Sequence, residues 1–231
     1  MDWLTPQEWQ AVLLSLKVSV VAVAVSLPLG IFCAYALARW RFPGRLMLNG
    51  LVHLPLIMPP VVTGYLLLLA FGRRGFIGEP LEAWFGFTFA FRWTGAALAA
   101  AVMAFPLMVR TIRLSIEAVD PKLEQAASTL GASRLSVFAS VTLPLILPGI
   151  IAGSIIAFAK AMGEFGATIT FVSNIPGQTQ TLPTAIYTEL QVPGGETQAA
   201  RLVVISLAIA LSALLASEWV GRAAARRVSG A

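Results

Sequence analysis

Five long apolar runs, separated by short polar segments, leave this chain very few folds. They fall at about residues 18–38, 48–71, 94–109, 143–162 and 202–220. Crossing about 30 Å of hydrocarbon takes roughly 20 apolar residues in a helix. Of the 231 residues, 58% are hydrophobic and only 12% charged, where a soluble domain carries about 25%. A water-soluble fold of this size would lack the ionic groups to cover its surface. Lipid requires every backbone N–H and C=O to be satisfied internally, which leaves helices or a closed barrel. A barrel strand alternates over about 10 residues, whereas these runs are continuous. The expectation is an all-α membrane protein with about five transmembrane helices.

Local signals set the ends and breaks of these helices. Thr5, Pro6 and Glu8 form the pattern of an N-cap, a first helical residue and a capping box. Trp3 and Trp9 suit the water–lipid interface. Pro43-Gly44 turns the chain after the first run. The second run holds Pro55 and Pro59-Pro60; each proline removes a donor and crowds the preceding turn, so a kink or break is expected there. Residues 73–93 read as a polar, aromatic connection. The third run continues as helix towards Ile116, carrying Arg110 and Arg113. Asp120-Pro121 starts a short helix that Gly131 stops, and Ser133 caps a second one. Residues 165–198 are a mixed stretch rich in Thr, Gly and Pro. The domain plan is an N-terminal interfacial segment (1–17), one transmembrane domain (18–220) and a basic tail (221–231).

The net charge of +5 does not point to nucleic acid, because the basic residues sit at the ends of apolar runs without interleaved aromatics. The single cysteine, Cys33, lies inside the first run and reads as a packed thiol, not a metal ligand. The N-terminus lacks the positive region and short apolar core of a signal peptide. With five spans the termini lie on opposite sides. One side then holds ten basic residues, Arg39, Arg41, Arg45, Arg110, Arg113, Lys122, Arg134, Arg222, Arg226 and Arg227, and the other holds five, Lys17, Arg73, Arg74, Arg92 and Arg201. The positive-inside rule makes the richer side cytoplasmic, so the N-terminus is expected in the periplasm of a bacterial inner membrane and the C-terminus in the cytoplasm.

The least membrane-like stretch, residues 118–140, carries the most specific signal. Gln125-Ala126-Ala127, Gly131 and Leu143-Pro144 fall at the spacing of the EAA motif of ABC importer permeases, which this segment resembles. Two positions depart: Gln125 stands at the acidic position, with Glu124 one residue earlier, and Val141 stands where Ile is usual. The resemblance extends from about residue 8 to 219, and it is to the permeases of molybdate ABC importers. It is carried by His53-Leu54-Pro55-Leu56, Pro59-Pro60-Val61-Val62, Gly72-Arg73-Arg74-Gly75-Phe76-Ile77-Gly78, Phe105-Pro106-Leu107-Met108-Val109-Arg110, Gly163-Glu164-Phe165-Gly166-Ala167-Thr168 and Phe171-Val172-Ser173-Asn174-Ile175-Pro176-Gly177. Gly163-Glu164-Phe165-Gly166 also occurs in sulfate permeases and marks the oxyanion group as a whole.

The resemblance implies a type I ABC importer permease core with a cytoplasmic coupling helix, working as a homodimer with two cytoplasmic ABC ATPase subunits and a periplasmic molybdate-binding protein. Glu124, Gln125, Ala126, Ala127, Gly131, Leu143 and Pro144 would form the coupling segment. A phosphate-binding GxxxxGK[ST] loop is not found in the sequence; ATP and Mg would belong to the partner subunit, and this chain would bind no cofactor, hold no metal and catalyse no reaction.

For other polar residues two readings stand side by side. Lys160 and Glu164, four apart, either attract the dianion and hold the gate or simply satisfy one another. Thr63 and Gly64 beyond the double proline, with Thr168, Thr170, Ser173 and Asn174, either line a weak anion path or pack between helices. Arg73, Arg74 and Arg92 form a docking rim for the binding protein or a solvated loop. Gly149 and Gly153 permit close helix approach within or between subunits. His53 reads as a structural hydrogen-bonding group. Related cargo, tungstate or sulfate, is the alternative. A membrane enzyme is disfavoured by the scarcity of ionisable groups in the spans, and a channel would need no coupling segment. A reporter active only in the periplasm, fused after Ala231, should stay silent; activity there would reverse the orientation.

Overall fold

The computed structural model describes the backbone of residues 3–228 and side chains as far as Arg222; residues 1–2 and 229–231 lie outside what is described, as do the side chains of Arg226 and Arg227 in the expected tail. Among the described residues eleven α-helices follow one another: α1 (Pro6–Arg39), α2 (Arg45–Ile57), α3 (Pro60–Phe71), α4 (Gly78–Phe85), α5 (Trp93–Glu117), α6 (Pro121–Thr129), α7 (Arg134–Val137), α8 (Leu143–Met162), α9 (Gly166–Val172), α10 (Leu182–Glu189) and α11 (Glu196–Val228).

The capping box at the start of α1 is present. Thr5 Oγ1 accepts from the Glu8 amide at 3.2 Å, and Glu8 Oε2 accepts from the Thr5 amide at 2.6 Å. Its other oxygen accepts from Arg201 Nη2 at 2.9 Å, so the buried Glu8 also ties α1 to α11. The first helix is continuous through residues 6–39, so residues 6–17 of the N-terminal segment are helical with the span that follows. Likewise α11 runs unbroken past residue 220 to Val228.

Contacts between helices settle how many times the chain crosses. Lys17 lies 3.7 Å from the centre of the Trp93 ring, Gly30 faces Met108, and Arg39 donates to the Val119 carbonyl at 2.9 Å. Residue numbers rise together, so α1 and α5 are parallel. The chain must return between them, and only α2 and α3 are available for that. Near the end of α1, Arg45 Nε donates to the Leu37 carbonyl at 3.1 Å, and Arg113 Nη1 donates to Asn49 Oδ1 at 3.1 Å. At the far end, Phe71 meets Phe89 edge to face at 5.6 Å, beside the start of α5. Together α2 and α3 are one broken span, bent by 115°. Gly149 of α8 faces Ser115 and Gly153 faces Met108, so α8 is antiparallel to α5. The Arg201–Glu8 pair sets α11 parallel to α1. The result is five crossings, with the C-terminal end on the same side as residues 118–140.

The break falls at Pro59-Pro60 and not at Pro55. Met58 and Pro59 each precede a proline and are extended, with ψ of 145° and 134°, as proline demands of its predecessor. Two successive extended residues end a helix. Pro55 stands alone and α2 absorbs it. The connection expected at 73–93 contains a helix, α4, that its mixed polar and aromatic composition concealed.

Small residues let the spans approach. The most enclosed span, α5, buries Ala96, Ala97, Ala99, Ala100 and Ala104. Gly149 and Gly153 are spent on α5 of the same chain, which decides between the two uses open to that spacing. The crossing of α3 on α9 is also close, and on the α3 side it is backbone that is met: a Cβ on Gly64 would lie 2.5 Å from the Ala167 carbonyl oxygen, and one on Gly166 would lie 2.7 Å from Pro60. Gly64→Ala should lower the thermal stability of the detergent-solubilised chain by about 1–3 kcal/mol equivalent. Gly50→Ala, where a Cβ meets nothing within 4 Å, should not lower it.

Candidate functional site

The residues singled out by the sequence fall into three places. The first is the short helix α6 and its flanks. Asp120 Oδ1 accepts from the Lys122 amide at 2.9 Å and Pro121 occupies the first turn, which fixes the start of α6. Its end is fixed by Gly131 at φ +86°, a conformation in which a side chain is strained. Ser133 Oγ then accepts from the Ser136 amide at 3.3 Å to start α7. No residue of α6 is buried, and Leu123, Leu130 and Leu135 are exposed around it, Leu130 by 89%. Gln125 and Ala126 face outward, Ala127 partly so.

Glu124 faces the other way. Its Oε1 accepts from Thr142 Oγ1 at 2.8 Å and lies 3.5 Å from Arg39 Nη2. The acid beside the EAA position is thus turned into the body of the chain and is not displayed with Gln125. Thr142 and Arg39 are the residues sequence reasoning missed. Arg39 had drawn notice only as a charge at the end of an apolar run.

Leu143-Pro144 lies within a helix and does not begin one, although the fourth apolar run begins there. Arg134 to Met162 forms one continuous helical stretch, through a π turn at Phe138–Thr142. The Leu143 amide bonds to the Phe138 carbonyl, five residues back. Pro144 explains this, because a proline ring collides with the carbonyl four residues earlier and a wider turn relieves the collision.

The second place is where α8 gives way to α9. Gly163 ends α8, and Glu164 bridges the gap. Its Oε2 lies 3.0 Å from Lys160 Nζ, and its Oε1 accepts from the Ala167 amide at 3.0 Å. The Glu164 side chain is 2% exposed and that of Lys160 32%. Both charges are satisfied within this bend, and Glu164 caps α9. Thr63, Gly64 and Thr170 come together at the α3–α9 crossing. There the Thr63 hydroxyl is buried without a hydrogen-bond partner, Thr168 is buried, and Thr170 Oγ1 donates to the Gly166 carbonyl at 2.8 Å. Ser173 and Asn174 lie further on, in the turn after α9. Ser173 is at φ +66°, and Asn174 Nδ2 donates to Thr188 of α10 at 2.7 Å.

The third place is the opposite end of the molecule from α6. Arg73 Nε pairs with Glu82 at 3.1 Å while staying largely exposed, and the Arg92 guanidinium lies 5.7 Å from the Phe87 ring centre. Arg74 is exposed, with Phe76, Trp84 and Phe85 around α4. His53 Nδ1 lies 2.9 Å from the Asn49 carbonyl oxygen, the structural hydrogen bond expected of it. A groove of about 870 Å³ between α1, α8 and α11 is walled by residues such as Leu16, Ile150, Phe158 and Ile209, a lining that suits hydrocarbon and not a dianion.

Residues 26–229 match the family model described as binding-protein-dependent transport system inner membrane component. The chain is 65% identical over 224 residues to the molybdenum transport system permease protein ModB of Escherichia coli K12, covering 97% of this chain and 98% of that one. It is 57% identical over 215 residues to ModB of Haemophilus influenzae, covering 93% and 94%. A solved bacterial ABC transporter that imports the acidic polysaccharide alginate shares its fold, with a TM-score of 0.71 at 18% identity over 96% of this chain and 80% of that one. The five crossings and these likenesses agree: the chain belongs to the family of inner membrane components of binding-protein-dependent transport systems.

Proposed function

We propose that this chain is the membrane-spanning subunit of an ATP-driven importer of molybdate, acting by alternating access as a homodimer. The observation that carries the reading is 57–65% identity over nearly the full length to molybdenum permeases, supported by the apolar residues left exposed on and beside α6. An exposed Leu123, Leu130 and Leu135 on a soluble segment call for a partner. Two cytoplasmic ABC ATPase subunits that bind ATP and Mg would dock there, against Gln125, Ala126 and Ala127, and the side bearing α6 would be cytoplasmic. A periplasmic molybdate-binding protein would dock over Arg73, Arg74, Arg92 and the aromatic rim of α4. Closure of the ATPase pair would open the permease pair outward, and hydrolysis would return it.

The path for the anion would pass the α3–α9 crossing. Here the helices are interrupted, and the unpartnered hydroxyl of Thr63 has a donor to offer. Neutral hydroxyl groups suit a path that must release its cargo as readily as it admits it. Thr168 and Thr170 belong to the same region, with Ser173 and Asn174 at its end. Lys160 serves this region by holding Glu164, whose cap on α9 sets the crossing.

In proteoliposomes holding the permease, its ATPase and its binding protein, ATP should drive molybdate uptake. Excess tungstate should compete and sulfate should compete poorly; equal competition by sulfate would move the cargo to the wider oxyanion group. Lys160→Ala should lower thermal stability by about 1–3 kcal/mol equivalent while leaving half-saturation by molybdate unchanged. A marked rise in half-saturation would instead make Lys160 an anion-attracting residue.

A further inference from the structure

We propose that Glu124 is a positioning residue that carries the movement of α6 into α8, through the hydroxyl of Thr142 and the π turn that contains it. This rests on the transport reading above but concerns the inside of the chain, not its contact with an ATPase.

The case begins with how α6 is held. It buries no residue. Its other side-chain hydrogen bonds close on itself: Ser128 Oγ donates to the Glu124 carbonyl and Thr129 Oγ1 to the Ala126 carbonyl, each at 2.8 Å. Among the described residues, Glu124 is the α6 side chain that bonds to another element. Its partner Thr142 is fully buried and stands in the last position of the π turn. A push on α6 therefore reaches the membrane body through the chain at either end of the helix, with Gly131 a flexible joint at the C-terminal end, through its packing on the π turn and through the hydrogen bond of this carboxylate.

The receiving element is soft. The π turn of α8 holds its backbone by a bond five residues back, a geometry rarer and looser than the α turn and often found at functional positions. Tightening or shifting that turn re-aims the helix beyond it. From Leu143, α8 runs without a break to Gly163, where Glu164 caps α9 and α9 crosses α3. Movement at Thr142 is thus delivered to the proposed anion path at the other end of the same rigid helix.

Arg39 is the second half of the device. It donates to the Val119 carbonyl at 2.9 Å but reaches Glu124 only at 3.5 Å, and its Nε is buried without a partner. The guanidinium thus has an unmet donor in this arrangement, which a small shift of α6 towards the end of α1 would engage. Two arrangements of one cluster, biased by where α6 sits, are what a coupling element requires.

The test uses the complete complex, with Thr142→Val, Thr142→Ser and Glu124→Ala. Valine keeps the shape of threonine and removes the hydroxyl. Uptake and ATP hydrolysis are measured together. Thr142→Val and Glu124→Ala should lower molybdate taken up per ATP by about five- to tenfold, with hydrolysis stimulated by the loaded binding protein largely kept. Thr142→Ser should restore the ratio, and the double variant should be no worse than either single one. Uptake and hydrolysis falling in proportion, or an unchanged ratio, would overturn the proposal. Hydrogen exchange of residues 138–143 in the purified complex gives a readout independent of cargo. It should quicken in Thr142→Val and not in Thr142→Ser, and no change would also overturn the proposal. A wild-type complex that moves no molybdate would count against the transport reading alone, and the exchange result would still decide the role of Glu124.

Discussion

Hydrocarbon offers a peptide group no hydrogen bond, and the whole architecture follows from that. Long helices carry the chain wherever lipid surrounds it. Every departure from regular helix needs a local remedy, and the remedies are visible. Beyond the double proline, the amides of Val62 and Thr63 bond to the Pro59 carbonyl at 2.9 and 3.3 Å. At the end of α8, Glu164 takes up the amide of Ala167. At Pro144 the helix widens to a π turn and continues. None of these three breaks is an open end.

Charge is used sparingly and in pairs. Glu8 with Arg201, Glu124 with Arg39 and Glu164 with Lys160 each join elements that no short loop connects or bridge a break in one helix. Each has a carboxylate that is mostly or wholly buried, accepting a second bond from a backbone amide or a hydroxyl. Burying one charge without its partner would be far more costly than leaving both in water, so these pairs set which helices lie side by side. Small residues set how closely they lie. The alanine face of α5 and the paired glycines of α3 and α9 bring backbones to distances that a larger side chain would forbid.

Much of this was legible in the residues. The capping box, a break among the prolines of the second run, the stop at Gly131 and the five spans all follow from local rules that need only a few neighbouring residues. The short exposed helix before Gly131 was legible for the same reason, from Asp120-Pro121 at its start and the glycine at its end. Less legible were α4, whose mixed composition matches no single period, and the uninterrupted passage from α7 into α8. A proline after a loop-like stretch normally signals a new start, and only the preceding turn shows that it widened instead.

By itself the sequence determined the chemistry of the chain: helices in lipid, their approximate ends, the exposed segment between the third and fourth spans, and the family to which that spacing belongs. Those properties depend on hydropathy, on proline and glycine, and on runs of near neighbours. Tertiary structure alone decided that α1 and α5 run parallel, which makes the bent pair a crossing, and that the glycines of α8 serve its own chain. It also decided that Glu124 faces Thr142 and Arg39, residues 18 and 85 positions away. One helical residue earlier or later turns a side chain by about 100°. Whether an acid on α6 meets a partner outside or the body within therefore depends on how the helix is seated, which no local pattern specifies.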